Sequence, residues 1–108
     1  MGNKPVKHDY KPLFDPTTFD IEKWIKYYQN MESNFPRQNL ETQIAKCYNY
    51  ITNIKTINNT EGFMRECAFA LGIIRVIKTE DRIKNDETSI NYYNHLYEEI
   101  YSIVTSVG

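Results

Sequence analysis

The sequence predicts an all-α fold: a compact four-helix bundle preceded by an extended N-terminal arm. Three observations carry this. Apolar residues recur at spacings of three and four in successive stretches, the signature of amphipathic helices. No stretch of useful length alternates with a period of two, so no strand is expected. All four prolines fall within the first 36 residues, which leaves the rest of the chain without its strongest helix breaker. A three-helix core with the first helix laid across it is the alternative arrangement.

Residues 1–19 read as the arm. Pro5, Pro12 and Pro16 punctuate it, each lacking a backbone donor and restricting its predecessor. Lys4, Lys7, His8 and Lys11 make it basic, and Tyr10, Leu13, Phe14 and Phe19 are able to tie its second half to a core. The start Met1-Gly2-Asn3-Lys4-Pro5-Val6 carries Val6 where a myristoylation signal needs Ser or Thr, so lipidation is not expected.

Residues 20–108 read as one helical domain. The first helix is expected over about 20–33, with Asp20 as N-cap and Phe19 and Trp24 at the two positions of a hydrophobic staple. Ile21, Trp24, Ile25, Tyr28, Met31 and Phe35 give it one apolar face, and Pro36 ends the run and opens the next helix. The second helix, about 37–57, has a narrow seam of Leu40, Ile44, Cys47, Ile51 and Ile54. Asn58-Asn59-Thr60 supplies a turn and a fresh cap. The third, about 60–84, is apolar on most sides and therefore central. Phe63, Cys67, Ala70, Ile74 and Ile77 form its seam, beside a second stripe of Phe69, Ile73 and Val76. Ala68 and Gly72, four apart, leave a small face where another backbone is able to approach closely. The glycine costs roughly 1 kcal/mol against alanine in a helix interior, which calls for a packing reason. Asn85-Asp86 marks a stop and a new cap. The fourth helix, about 87–106, carries Ile90, Tyr93, Tyr97, Ile100, Val104 and Val107, with Tyr92, Leu96 and Ile103 as a second stripe.

The 108-residue length allows one domain with one core. Phe, Tyr, Met, Ile, Asn and Lys total 50 residues against 15 for Gly, Ala, Arg and Pro, a bias towards A/T-rich codons that points to a phage or another A/T-rich mobile genome. A net charge of −1 argues against a broad nucleic-acid or anionic-membrane surface. No apolar run reaches the roughly 18 residues of a membrane span, and no leader is recognised, so a cytoplasmic protein with two reduced thiols is expected.

Signatures of catalysis are scarce. There is no glycine-rich phosphate loop, G-x-S-x-G, H-E-x-x-H or Cys-x-x-Cys. His95, with Glu98 and Glu99 at i+3 and i+4, reads as a solvated helix contact. Cys47 and Cys67 lie on core seams and read as buried thiols. No enzyme activity, catalytic residue, metal ligand or cofactor is expected. Arg65, Arg75, Lys78 and Arg82 place a basic strip on the third helix. Its i, i+4 partners (Glu61–Arg65, Glu80–Lys84, Arg82–Asp86) favour solvation, and Arg75, among apolar neighbours, is read as either snorkelling to solvent or pairing with an acid on another helix or subunit.

Nine tyrosines are the most pointed hint, because tyrosine joins a large contact area to a polar tip. Together with two apolar stripes on each of the last two long helices, they make a small non-enzymatic interaction protein the leading expectation. Such a protein serves as an inhibitor, adaptor or regulator and forms a homo-oligomer. The residues expected to meet the protein partner are Tyr92, Leu96, Tyr101, Ile103, Arg75 and Arg82. A nucleic-acid-binding protein using the basic strip and the arm is one alternative. A small-molecule or nucleotide binder at an oligomer interface is the other.

Overall fold

The computed structural model describes residues 18–34, 36–54 and 61–106. Within them the fold is all-α and contains no strand. Five helices follow in order: α1 (Ile21–Glu32), α2 (Arg37–Ile54), α3 (Glu61–Ile77), the single turn α4 (Asp81–Lys84) and α5 (Glu87–Thr105). The arm lies outside the described residues except for Thr18 and Phe19. So do Phe35, the turn at 58–60 and Val107.

The helix starts follow the capping residues. The Asp20 carboxylate accepts from the Lys23 amide at 3.2 Å, and the Asp86 carboxylate accepts from the Ser89 amide at 3.1 Å. Each satisfies a donor that the first helical turn leaves unpaired. Phe19 stacks on Trp24 with ring centroids 6.4 Å apart, which completes the staple. The Pro36 carbonyl accepts the first bonds of α2, from the Asn39 and Leu40 amides.

The continuous helix expected over 60–84 is interrupted. The Thr79 and Glu80 amides turn back to the carbonyls of Val76 and Ile77, three residues away, and the Thr79 hydroxyl donates to the Val76 carbonyl at 2.7 Å. A side-chain bond of this kind slightly destabilises and bends a helix. Glu80 then adopts an extended conformation and α4 starts in a new direction, with Ile83 buried in the core. The expected pairs Glu80–Lys84 and Arg82–Asp86 give way to Lys84–Asp81 at 3.7 Å and to Arg82 paired with Glu80 and with Glu41 of α2.

α3 is the hub. α1, α2 and α5 all pack against it, and α4 packs against α5. Its seam is wholly buried, as are Ile73 and Val76 of the second stripe. Leu40, Ile44, Cys47 and Ile51 of α2 and Ile100 and Val104 of α5 close the core around it. α1 contributes less: Ile25 is its one fully buried apolar side chain, with Ile21, Trp24 and Tyr28 packed at the margin.

The contact between α1 and α3 includes a close approach of the two backbones. A Cβ at Gly72 would lie 2.9 Å from the Gln29 amide nitrogen and 3.0 Å from both the Ile25 carbonyl oxygen and the Tyr28 Cβ. The small face expected at Ala68 and Gly72 is thus occupied by α1. A methyl group has no flexible neighbour to displace there, whereas at Gly62 it would meet open space. We therefore expect Gly72→Ala to lower stability by about 1–3 kcal/mol through overpacking, in spite of alanine's better helix propensity. Gly62→Ala is expected to leave stability unchanged or raise it by up to about 1 kcal/mol. Urea denaturation of the two variants checks this; a Gly72→Ala chain as stable as the wild type would contradict the close approach.

Candidate interaction site

α5 lies between two hollows, one on each flank. The first, about 490 Å³, is lined by Glu22 of α1, Arg75 of α3, and Tyr97, Glu98, Tyr101 and Ser102 of α5. Arg75 sits at its centre. Its Nε donates to the Tyr97 hydroxyl at 2.9 Å, and its Nη2 donates to both carboxylate oxygens of Glu22 at 3.1 and 3.2 Å. Of the two readings of Arg75, pairing is the one found, and the acid is on α1. The guanidinium lies 5.5 Å from the Tyr97 ring centroid, and Lys78 Nζ lies 5.8 Å from the same ring. Tyr97 and Tyr101 stack with centroids 6.0 Å apart. Burial opposes the charge on Arg75, but its bonds to Tyr97 and Glu22 outweigh that and hold it above the ordinary value. Burial also pushes the Tyr97 phenol up, partly offset by Arg75. Three helices are thus tied by one cation, and its partners are held in fixed positions.

The second hollow, about 270 Å³, lies between α2 and α5 and is lined by Tyr48, Tyr92, His95, Leu96 and Glu99. The Tyr48 hydroxyl donates to Glu99 at 3.0 and 3.1 Å, which raises its pKa. Tyr92 is 59% exposed, the most open large apolar side chain among the described residues, and packs edge-on against Tyr93 at 5.0 Å. His95 is exposed, and the carboxylate beside it, Glu99, is engaged by Tyr48.

The six residues expected to meet a partner are therefore divided. Arg75 and Tyr101 share the first hollow, and Tyr92 and Leu96 share the second. Leu96 is 6% exposed and acts as the floor rather than the rim. Ile103 is half-buried against the core. Arg82 is exposed beside α2, paired with Glu41. The grouping that sequence reasoning missed lies on α1 and α3: Lys23, Trp24, Tyr27 and Arg65 line a hollow of about 310 Å³. Trp24 looks like core from its spacing, and Arg65 looks like a partner of Glu61. Nothing in either pattern signals that they meet.

No group of three or more His, Cys, Asp or Glu side chains able to hold a metal is present among the described residues. No helix among them is long and apolar enough to cross a membrane. Cys47 and Cys67 are buried free thiols. Burial and then Glu66 drive the Cys47 pKa far up, and burial raises that of Cys67 to about 12.

These groups share one sign. A thiol or phenol whose folded pKa is raised stabilises the fold below its unfolded pKa, and that contribution is lost as pH rises towards the folded value. The unfolded thiols ionise first, near pH 8.5, followed by the tyrosines near pH 10. Tyr48, Tyr93 and Tyr97 are all raised. Denaturation in urea is expected to give a stability that declines above about pH 8.5, by roughly 1.4 kcal/mol per pH unit for each fully shifted thiol. The double variant Cys47→Ala, Cys67→Ala should postpone the decline to the tyrosine range. An identical pH profile for both chains would contradict the buried-thiol assignment.

Compared with family models, with curated proteins and with solved structures, the chain gives no match in any of the three. Its function is read from its own side chains.

Proposed function

We propose that the protein is a small non-enzymatic interaction protein that docks a protein partner through α5. An inhibitor, adaptor or regulator of a cytoplasmic machine, encoded by a phage or another A/T-rich mobile genome, fits this reading. The observation that carries it is the pair of tyrosine-lined hollows on the flanks of α5, in which the polar groups are already held by bonds within the fold. Arg75, Glu22 and Tyr97 fix one another on one side, and Tyr48 and Glu99 on the other. Tyrosine and arginine dominate the energetics of protein interfaces, and side chains fixed before binding lose less entropy on association. The basic strip supports nucleic-acid binding less well, because Arg75 and Arg82 are each engaged by a carboxylate. The 490 Å³ hollow is also within the size range of small-ligand sites, which favours the ligand-binding alternative as a second reading.

The test is capture of partners from the source cells or their host by the tagged chain, after nuclease treatment and at two salt concentrations. It is run in parallel with Tyr92→Ala and Tyr101→Ala chains shown to keep the wild-type helical spectrum. A protein that resists nuclease and salt, and whose affinity falls about tenfold or more with either substitution, is the expected result. Material released by nuclease, or a partner bound equally by all three chains, would overturn the reading.

A further inference from the structure

We propose that the hollow between α1 and α3 lined by Lys23, Trp24, Tyr27 and Arg65 binds a nucleotide unit, with its base stacked on Tyr27 and its phosphate held by Lys23 and Arg65. This site is separate from the flanks of α5 and does not depend on the reading above.

Charge is the first argument. Glu22 and Glu98 line the 490 Å³ hollow with Arg75, Glu99 lines the Tyr92 hollow, and Glu32 lines a hollow of about 240 Å³ with Asn39, Leu40 and Gln43. Each of these repels an anion. Among the described residues, the lining at α1 and α3 includes two basic side chains and no carboxylate. Among the described residues the one acid in ion-pair range is Glu61, which meets Arg65 at 3.9 Å with both side chains well exposed, and such a pair is worth little.

Geometry is the second. The Arg65 guanidinium lies 4.1 Å from the Trp24 ring centroid, and Phe19 stacks on Trp24 as well. Tyr27 meets Trp24 edge-on at 5.5 Å. The indole is therefore held in place, and it holds Arg65 in turn. What remains open to a ligand is the Tyr27 ring, 53% exposed, beside the two cations. A group that satisfies all of these features carries a flat ring and a phosphate anion on one short frame. Stacking of a base on an aromatic side chain is worth about 1–3 kcal/mol, and arginine is well shaped for phosphate. An acidic peptide would satisfy the cations and leave the ring in water. The volume, near 310 Å³, suits one nucleotide and is too small for a dinucleotide cofactor.

Trp24 is the only tryptophan in the chain, so its fluorescence reports on this hollow alone. The full chain is titrated with AMP, with a short oligothymidylate and with inorganic phosphate, while the emission of Trp24 is followed. A saturable change with AMP or with the oligonucleotide is expected, weakened about tenfold or more in a Lys23→Gln, Arg65→Gln chain. Tyr27→Ala should weaken either nucleotide ligand and leave phosphate as it was. Saturation by AMP assigns a free nucleotide; saturation by the oligonucleotide alone assigns a single strand. No saturable change with either, an unaltered response in the charge variant, or phosphate binding as tightly as AMP would overturn the proposal.

Discussion

The close approach of two backbones at Gly72 is the constraint on which the rest depends. α1 has one fully buried apolar side chain, Ile25, with Ile21, Trp24 and Tyr28 packed at the margin of the core. It is held close because α3 presents no side chain at Gly72, and the Ile25 carbonyl and the Gln29 amide come within reach of where a Cβ would stand. At that distance dispersion contacts are made by both main chains, and they are sensitive to tenths of an ångström. The glycine therefore sets how closely α1 approaches α3, and the buried Ile25 and the Tyr28–Phe69 contact add to its hold. Everything that α1 brings to the surface inherits that position. Glu22 meets Arg75 at one edge of the helix, and Trp24 meets Arg65 at another. Two hollows with opposite charge character are placed by one contact.

α3 shows how a central helix accommodates charge. It is buried along two stripes, yet Arg65 and Arg75 leave it and end in organised surroundings. Each lies over an aromatic ring and near a carboxylate. The two arrangements differ in strength. Arg75 is half-buried, with three hydrogen bonds to side chains of two other helices, so that removing a partner would leave a partly desolvated cation. Arg65 is more exposed, and its nearest acid is at the limit of ion-pair distance. The first serves as a tie between helices, while the second keeps its charge available.

Much of this architecture was legible in the sequence. Seams spaced by three and four residues gave the buried faces of α2, α3 and α5. Asp20 and Asp86 gave the helix starts. A costly glycine four residues from an alanine in an apolar helix announced a close backbone approach before the neighbour was known. Arg75, set among apolar residues, announced a distant acid. In each case a local pattern narrows the physical solutions to one or two, as with Arg75, which either snorkels or finds a distant acid. The break at 78–80 has no such mark. It contains neither glycine nor proline, and there the Thr79 and Glu80 amides turn back to carbonyls three residues away while Ile83 beyond it is buried. The hollows were not legible either, because each joins residues from different helices whose phases the sequence does not relate.

The basic strip makes the same point more sharply. Arg65 and Arg75 are ten residues apart, which on an α-helix is a rotation of about 280° and puts them on different faces. Arg75 and Arg82, seven apart, would have shared a face had the helix continued. The turn at Thr79 and Glu80 ends it, and Arg82 is carried across to Glu41 of α2. What reads as one stripe of positive charge is therefore divided: Arg75 and Lys78 meet Tyr97, while Arg82 and Arg65 each have other neighbours. Arg75 and Arg82 are engaged by carboxylates as structural pairs. Arg65 is joined by Lys23, a residue from another helix that lies far from it in sequence. The fold thus dissolves the positive field that the linear pattern implies, and assembles a smaller one where the sequence gave no sign of it.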